Sequence, residues 1–364
     1  MVAPHPYRTC KEKAMRQSIE REMLEVLELF YYATSFQGRR FLCCFGPGAM
    51  VSEMLLDLRL LNRARLEVCL LAPGLDPAHL PPGYPVVPVG NPRELEQALK
   101  KGLMPLLPSA AGGLMEHAFA LAKTFKVSRI LWLGQEPGLL CGGKLQSFLD
   151  LGELKALVEG EESMNFDREF LGALWRELEH SKQEWVFVEA KSGALFQEVF
   201  THQGCGTLVA RSYQKSITQA QVSDLLDVML LMRPYAKSGV ILPVGEEQLA
   251  QEIGNYWVYR LGGSIVVTAR TRVLGDWVEL GKFCSLPRYQ GKGRARELVA
   301  KIAEEMAAQG AKFLFALTVE PKMGTFFERM GFEQVDRETL PKAWAQGYDF
   351  SRPSVAYRLT LQSK

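Results

Sequence analysis

A glycine-rich turn before a helix is the part of this sequence best suited to chemistry. The turn, Pro287–Ala295, follows an apolar run typical of a strand. A helix is predicted over 294–308 from an apolar stripe at helical spacing, formed by Leu298, Val299, Ile302 and Met306. Because the first N–H groups of a helix lack partners within it and lie at the positive end of its dipole, such a turn can hold a pyrophosphate. An ordinary strand-to-helix connection has the same pattern, so the turn alone leaves both interpretations open.

The elements around this turn predict an α/β protein of two domains. At 364 residues the chain is longer than one average domain. Short apolar strands, such as 40–45 and 129–133, alternate with helical patterns, which favours a mostly parallel sheet. A stretch rich in glycine, threonine and serine, 204–216, is interpreted as the join. We therefore divide the chain into domains 1–209 and 210–364.

Composition excludes several classes of protein. Hydrophobic residues make up 47% and charged residues 23%, which rules out a largely disordered chain. With 43 Lys and Arg against 41 Asp and Glu, the net charge of +2 does not suit a protein that coats nucleic acid. No apolar run of ~18 residues lacks a charge, so no membrane partner is expected.

The N-terminal segment and the cysteines indicate a cytoplasmic protein. Residues 1–13 have no apolar core for a secretory signal. The seven cysteines are scattered and form no CxxC pair, which predicts reduced, buried thiols. Cys43 and Cys44 are adjacent and would point to opposite faces of a strand, so no metal site is predicted there. The first thirty residues are predicted to be helical, because apolar residues recur there at helical spacing, namely Met15, Ile19, Met23, Val26 and Leu27.

Two segments of the second half together resemble the GCN5-related N-acetyltransferases (GNATs). Gln290-x-x-Gly293-x-Ala295 resembles the Gln/Arg-x-x-Gly-x-Gly/Ala signature that cradles the pyrophosphate of acetyl-CoA in that superfamily. Phe326–Phe332 resembles its later helix with the Gly-Phe ending. The resemblance implies a GNAT domain with a mixed sheet, and acetyl-CoA as co-substrate without a metal. The residues that it assigns to acetyl-CoA in this turn are Gln290, Gly291, Lys292, Gly293, Arg294 and Ala295.

Finer matches resemble the bacterial N-acetylglutamate synthases, which acetylate an amino acid. They lie in Glu198–Thr207, Arg233–Leu249 and Leu340–Ser354. Arg40–Gly48 and Gly102–Pro108 resemble strands of that family's amino-acid-kinase-like domain. The fold class implied is an amino-acid-kinase-like, mostly parallel α/β sandwich followed by a GNAT domain. The resemblance further implies a homo-oligomer formed through the first domain, and arginine as an effector.

The first domain lacks groups that phosphoryl transfer needs. Cations must offset the charge of the transferring phosphate, yet Cys44 stands where the family's kinases carry a lysine on the first strand. Pro47 removes an N–H donor from the first glycine turn, and the second glycine loop is reduced to 72–76. A large piece of the family's domain is also missing between Pro73 and Gly102. We therefore expect a shortened, kinase-inactive domain that acts as a scaffold or regulatory unit.

The resemblance assigns the chemistry of acetyl transfer to the strand before the turn. Glu279 matches the family's glutamate beside the acetyl group, and it would take the proton of the acceptor amine directly or through a water. Backbone N–H groups of Phe283, Cys284 and Ser285 would hold the pantetheine arm and polarise the thioester carbonyl. As the alternative, the charged side chains of this region are solvated surface residues. The residues matched to carboxylate binding are Lys282, Arg352 and Ser354.

Two departures from the family leave the acceptor and the proton donor open. Pro243 and Val244 occupy the positions of an arginine pair that holds a substrate carboxylate in the family. Either another cation replaces the pair or the acceptor lacks a second carboxylate. Phe327 stands where many GNATs place a tyrosine acid, so no proton donor is assigned. We weigh three functions: acetylation of L-glutamate in the first step of arginine biosynthesis, acetylation of another amino acid or small amine, and non-catalytic sensing of acetyl-CoA or arginine.

Overall fold

The chain separates into two compact units, Met1–Ser212 and Tyr213–Lys364. Of the helix predicted in the first thirty residues, residues 26, 29 and 30 lie in the part of the chain that the structure describes, and they are helical. This structure is a computed structural model, and it describes residues 26, 29–109, 113–201, 204–211 and 215–362.

The first unit is built on a mostly parallel sheet. Among the described residues the sheet has eight strands in the order β3-β4-β2-β1-β5-β9-β10-β8. The pair β9–β10 is antiparallel and the other neighbours run parallel. The strands are β1 (Arg40–Phe45), β2 (Glu67–Leu71), β3 (Val86–Pro88), β4 (Met104–Leu106), β5 (Arg129–Gly134), β8 (Phe148–Asp150), β9 (Glu184–Glu189) and β10 (Thr207–Ala210), with the small hairpin β6 (Leu140–Cys141) and β7 (Lys144–Leu145) apart from the sheet.

The position of β1 inside this sheet explains why its sequence is apolar. β1 pairs with β2 on one side and with β5 on the other, and Phe41–Phe45 is buried. Parallel strands that are covered on both faces need apolar residues at every position, so they appear as continuous apolar runs. The helices of the unit are α1 (Leu55–Arg63), α2 (Pro92–Lys100), α3 (Leu114–Thr124), α4 (Leu151–Glu159), α5 (Arg168–Glu179) and α6 (Ala194–Phe200).

The second unit has a mixed sheet. Its described strands follow the order β11-β12-β13-β14-β15-β17-β16. Only the pair β14–β15 is parallel among these neighbours. The strands are β11 (Lys215–Gln219), β12 (Tyr256–Leu261), β13 (Ser264–Leu274), β14 (Trp277–Ser285), β15 (Phe313–Thr318), β16 (Glu333–Val335) and β17 (Val355–Thr360).

The strands β14 and β15 part midway, which opens the sheet. They pair from Trp277 to Leu280, whereas β14 continues to Ser285 against β13. The β13–β14 register shifts between Thr268 and Arg270, which marks a bulge. A bulge beside a site typically re-aims a side chain, and here it lies where the two parallel strands separate.

The helices of the second unit pack on this sheet. In α9, the predicted stripe of Leu298, Val299, Ile302 and Met306 is buried. In the described part of the chain, no helix combines the length and apolar character needed to cross a membrane. The helices are α7 (Leu225–Lys237), α8 (Glu246–Glu252), α9 (Arg294–Ala308), α10 (Pro321–Arg329) and α11 (Lys342–Ala345).

The predicted fold class, a mostly parallel α/β sheet followed by a mixed sheet of GNAT type, is confirmed. The two units divide within the segment 204–216, between Ser212 and Tyr213, and the described part of this segment contributes to two strands. Residues 207–210 form β10, a buried strand of the first sheet, and 215–219 form β11 of the second. Glycine and threonine masked the short apolar run Leu208–Ala210 in the sequence.

Candidate active site

A cleft in the second unit brings together the four residues that the sequence assigned to catalysis and to the acceptor. Its volume is about 200 Å³. The elements around it are the middle of β13 and β14, the end of β15, the segment 240–242, and α11 with the turn that follows it. The predicted residues that line it are Glu279, Lys282, Arg352 and Ser354.

Glu279 lies at the point where β14 begins to leave β15. Its register partners are Arg272 on β13 and Phe315 on β15. The side chain is only 14% exposed. Its Oε2 atom lies 3.5 Å from Nη2 of Arg270 and 4.0 Å from Nη1 of Arg272. The carboxylate is therefore held between two cations of the neighbouring strand.

The two oxygens of Glu279 differ in their hydrogen bonding. Oε1 accepts a hydrogen bond of 3.2 Å from the indole N–H of Trp344. Oε2 is buried and has no hydrogen-bond partner among the described residues. A buried polar atom without a partner is unusual in a folded protein. Oε2 can accept a proton or a hydrogen bond from a water or an amine that enters the cleft.

Lys282 lies in the bulge of β14 with a left-handed backbone. Its φ of 50° is uncommon for a residue with a side chain. The ammonium donates to the carbonyl of Leu242. Burial, together with the positive charges of Arg270 and Arg352, lowers the pKa of Lys282 to about 8. A negative charge in the cleft would reverse this effect.

Arg352 and Ser354 enter the cleft from the loop before β17. Nη2 of Arg352 donates to the carbonyls of Gly239 at 3.1 Å and Val240 at 3.4 Å. The hydroxyls of Ser354 and Tyr348 are hydrogen bonded to each other. The Tyr348 ring packs on the ring of Trp344 with centroids 4.4 Å apart. An aromatic wall thus connects the serine with the residue that holds Glu279.

The predicted pyrophosphate turn is an open helix start. Gly291 and Gly293 have φ values of 78° and 76°, and a Cβ at either position would meet no atom within 4 Å. The N-cap Gly293 has no side chain to accept from the first N–H groups of α9. The site is therefore suited to an anion supplied from outside.

Polar contacts anchor this turn to the rest of the unit. Gln290 donates through Nε2 to the hydroxyl of Tyr235 on α7 at 3.0 Å. The buried Arg294 donates to the carbonyl of Tyr289 at 3.1 Å, and Lys292 is half-buried. Gln290 and Arg294 therefore hold the shape of the turn in this structure. Gly291 and Gly293 have open space beside them, and no N-cap side chain covers the first N–H groups of α9.

The end of β14 leads from the cleft to this turn. The hydroxyl of Tyr235 donates to the Ser285 carbonyl at 2.5 Å and accepts from the Ser285 N–H at 3.3 Å. Cys284 is buried opposite Thr268, and burial raises the pKa of its thiol, which disfavours a nucleophilic role. The ring of Phe283 packs on Phe326. None of the residues 283–295 lines the cleft around Glu279. The residues predicted to bind acetyl-CoA therefore follow Glu279 and Lys282 along β14 and the turn, whereas Arg352 and Ser354 come from the loop before β17.

Sequence reasoning missed four residues of the cleft, namely Arg270, Arg272, Trp344 and Tyr348. The two arginines lie two positions apart on β13, so their side chains share one face of the sheet, and this spacing could have indicated a charged patch. Trp344 lies on a four-residue helix that carries no recognisable period. Phe327 is buried against Phe332 and Tyr357, so its position supplies no proton donor. Among the described residues no cluster of three His, Cys, Asp or Glu could hold a metal.

A second cleft, in the first unit, lies beyond the ends of β1 and β2. Its volume is about 560 Å³. The lining includes the glycine turn Phe45–Gly48 and the segment Ala72–Leu75. Its described lining residues include no lysine, arginine, aspartate or glutamate. The cleft therefore offers no lysine or arginine to offset a phosphate.

Comparison with known proteins agrees with this geometry. Residues 252–334 match the family described as "Acetyltransferase (GNAT) domain". An amino-acid acetyltransferase of Azotobacter vinelandii is 29% identical over 279 residues, which are 74% of this chain and 64% of that protein. One of Ectopseudomonas mendocina is 33% identical over 175 residues, 47% of this chain and 40% of that protein. The chain thus spans less than two thirds of the length of these curated relatives.

A solved structure resembles the chain over both units. N-acetylglutamate synthase from Neisseria gonorrhoeae, complexed with coenzyme A and L-arginine, covers 92% of this chain and 98% of its own, with a TM-score of 0.58 and 19% identity. At this identity the likeness concerns the fold. These matches confirm the resemblance that the sequence motifs predicted. The chain carries a GNAT acetyltransferase domain in its second unit and is a relative of the amino-acid acetyltransferases.

Proposed function

We propose that this protein transfers the acetyl group of acetyl-CoA to the α-amino group of an amino acid, with L-glutamate as the acceptor. The observation that carries the proposal is the cleft in which Glu279 lies among cationic side chains from β13, from β14 and from the loop before β17. Relatives of the chain are named amino-acid acetyltransferases. Acetylation of glutamate would place the protein at the first step of arginine biosynthesis.

Glu279 is the base of the proposed reaction. The α-ammonium of the acceptor must lose a proton before its nitrogen can attack a thioester carbonyl. The Oε2 atom, which accepts no hydrogen bond from the described residues, takes this proton directly or through a water. The C–N bond forms as the carbonyl becomes an oxyanion, and the attacking nitrogen, now positively charged, loses its second proton to solvent. The oxyanion then re-forms the carbonyl as the C–S bond breaks, and the thiolate leaves with the electron pair. The thiolate is protonated from solvent, since Phe327 supplies no donor.

The acetyl donor lies along the segment from Phe283 to Ala295. Backbone N–H groups at the end of β14 polarise the carbonyl of the thioester. The open N-terminus of α9, with Gly291 and Gly293, receives the pyrophosphate. The acceptor carboxylate is bound by Lys282, Arg352 and Ser354, which border the cleft on the other side.

The first unit takes no part in phosphoryl transfer in this proposal. Its uncharged cleft, with Cys44 on β1 and Pro47 in the turn, supports a scaffold or regulatory role. Domain 1–209 would carry an arginine effector and the contacts of a homo-oligomer, as the resemblance to N-acetylglutamate synthases implies. Domain 210–364 would carry the acetyl transfer, and the protein would work in the cytoplasm.

The test is a panel of amino acids and small amines incubated with the protein and acetyl-CoA, with release of free thiol as the readout. Thiol release with glutamate supports the proposal. Release with a different amine alone would change the acceptor but keep the chemistry. Coenzyme A binding without release for any acceptor would replace the enzyme by a sensor.

Two variants connect the assay to the cleft. Glu279→Gln keeps the shape of the side chain but cannot take a proton, so kcat falls ~10²–10⁴-fold. Arg352→Ala raises the KM of the amino acid far more than that of acetyl-CoA. Equal effects of Arg352→Ala on both KM values would remove this residue from carboxylate binding.

A further inference from the structure

Pro243 and Val244 are uncharged, although they occupy the positions of the arginine pair that holds a substrate carboxylate in the N-acetylglutamate synthases. Pro243 and Val244 directly follow Leu242, whose carbonyl is already bound by Lys282. If the acceptor carries a second carboxylate, another part of the chain must supply its cation. The lining of the same cleft includes two further cationic side chains, both on β13.

The cleft has more positive than negative charge. Its described lining contains one carboxylate, Glu279, against four cationic side chains. Carboxylates outside the lining compensate part of the difference: Glu252 lies 3.2 Å from Arg270, and Asp349 acts electrostatically on Arg352. The cationic side chains are Arg270, Arg272, Lys282 and Arg352. An anionic ligand would relieve the remaining repulsion.

The two arginines of β13 are not equivalent. Arg270 is 15% exposed and lies between Glu252 at 3.2 Å and Glu279 at 3.5 Å. The positive charge of Arg270 is thus compensated by two carboxylates of the protein itself. Arg272 is 46% exposed, and its ion pair with Glu279, at 4.0 Å, is loose. Arg272 is therefore the arginine of this strand that can turn to a ligand without leaving a buried carboxylate unpaired.

The other cations of the cleft are grouped around the segment 239–242. Lys282 donates to Leu242, and Arg352 donates to Gly239 and Val240. Arg272 makes no hydrogen bond to that segment among the described contacts; it lies on β13 directly opposite Glu279. Lys282 and Arg352 thus both contact the segment 239–242, whereas Arg272 lies on β13 and does not bond to that segment. Two separate cationic positions suit an acceptor with a carboxylate at each end.

We propose that Arg272 binds the side-chain carboxylate of a dicarboxylic acceptor and so determines the acceptor specificity of the cleft. Lys282 and Arg352 then take the α-carboxylate, and Arg270 is a positioning residue that holds Glu279. This inference rests on the proposed function, because it names the acceptor class of the same site. It assigns to β13 the cation that the segment after Leu242 lacks.

The experiment compares Arg272→Gln, Arg272→Lys and the wild type with two acceptors of the same shape, L-glutamate and L-glutamine. We expect Arg272→Gln to lower kcat/KM for glutamate about 30-fold or more, as for a lost charged contact. With glutamine the change stays within about threefold, and Arg272→Lys restores part of the glutamate activity. Arg329→Gln, an exposed arginine at the end of α10 outside the cleft, is the matched control and leaves both values unchanged.

A merely structural role of Arg272, acting through Glu279, would lower kcat for both acceptors by the same factor, and that result overturns the inference. An unchanged preference for glutamate in Arg272→Gln overturns it as well. Calorimetric binding of glutamate in the presence of coenzyme A separates this inference from the proposed function. Wild-type binding that Arg272→Gln weakens, without any acetylation, keeps the inference and rejects acetyl transfer. Acetylation of glutamate that is insensitive to Arg272 does the reverse, and absence of both binding and acetylation rejects both.

Discussion

The indole N–H of Trp344 donates a hydrogen bond to Oε1 of Glu279 over 3.2 Å. Trp344 is 1% exposed, and its ring packs between Phe315 of the sheet and Tyr348. The two residues are 65 positions apart in the chain. The orientation of the proposed base therefore depends on a short helix near the C-terminal end of the GNAT unit.

Trp344→Phe removes this donor and keeps most of the packing. A hydrogen bond to a charged group contributes about 1.5–3 kcal/mol, so we expect kcat to fall ~10- to 100-fold. Trp257→Phe is the matched control, because Trp257 is also buried in the second unit but its Nε1 has no hydrogen-bond partner among the described residues. Steady-state kinetics with saturating acetyl-CoA decide the matter. Equal losses in the two variants would mean that packing alone is affected.

The ionisation of Lys282 predicts a pH limit for acceptor binding. Its pKa is lowered to about 8 by burial and by Arg270 and Arg352, while Glu279 acts in the opposite direction. The ammonium is complete below that pH and is lost above it. Since a neutral amine cannot pair with a carboxylate, the affinity for the acceptor falls as the pH rises through about 8.

Lys282→Arg is the control for this pH limit, because arginine stays charged throughout the range. Calorimetric titration with the acceptor at about half-unit steps between pH 6.5 and 9.5 measures how the acceptor affinity of each protein depends on pH. We expect the wild type to lose affinity over the alkaline half and Lys282→Arg to lose none. A shared decline would assign the effect to another group.

The open turn before α9 predicts a selective effect on acetyl-CoA. Gly293 has a φ of 76°, where an added Cβ meets no atom but the backbone is strained by about 1–2 kcal/mol. Gly293→Ala should raise the KM of acetyl-CoA, since relief of the strain reorients the first N–H groups of the helix. Gly310 follows the other end of α9 with a φ of 90° and equally open space. Gly310→Ala should lower the melting temperature of the protein about as much as Gly293→Ala does, but it should leave the KM of acetyl-CoA unchanged.

Local patterns predicted the elements that carry a long apolar signal. The predicted strand 40–45 and helix 294–308 have the bounds of β1 and α9, because each buries a regular stripe or run. β3 (Val86–Pro88) and α11 (Lys342–Ala345) escaped prediction, since three or four residues cannot display a period. α11 carries Trp344, and so the support of Glu279 was missed with it.

The sequence predicted some residues of the cleft and missed others, because contacts between strands are not visible in local patterns. Glu279, Lys282, Arg352 and Ser354 were found through resemblance, and the structure places all four around one cavity. The arginines of β13 have no counterpart in the family motifs. Their relation to Glu279 depends on the β13–β14 register, which is set by the bulge near Lys282 and cannot be read from spacing along the chain.

The last prediction concerns the stability of the first unit. Asp57 on α1 is 1% exposed, and its two oxygens accept hydrogen bonds from the N–H groups of Gly193 at 2.8 Å and Phe196 at 3.0 Å. Gly193 is the N-cap of α6 and has no side chain of its own for this purpose. Asp57 therefore caps a helix that lies 136 positions later in the chain.

Asp57→Ala leaves the N–H groups of Gly193 and Phe196, whose hydrogen bonds to Asp57 are partly buried, without this acceptor. Each unsatisfied donor costs about 1–3 kcal/mol, so we expect the free energy of unfolding to fall by about 2–4 kcal/mol. Asp167→Ala serves as the comparison, because the Asp167 carboxylate accepts from the exposed N–H of Glu169 at 2.7 Å at the start of α5. That loss should be nearer 1 kcal/mol. Urea denaturation of the full chain gives the two values, and amide hydrogen exchange at residues 193 and 196 should accelerate only in Asp57→Ala. Equal destabilisation by both variants, with exchange at those amides unchanged, would show that the Asp57 contacts do not hold the start of α6.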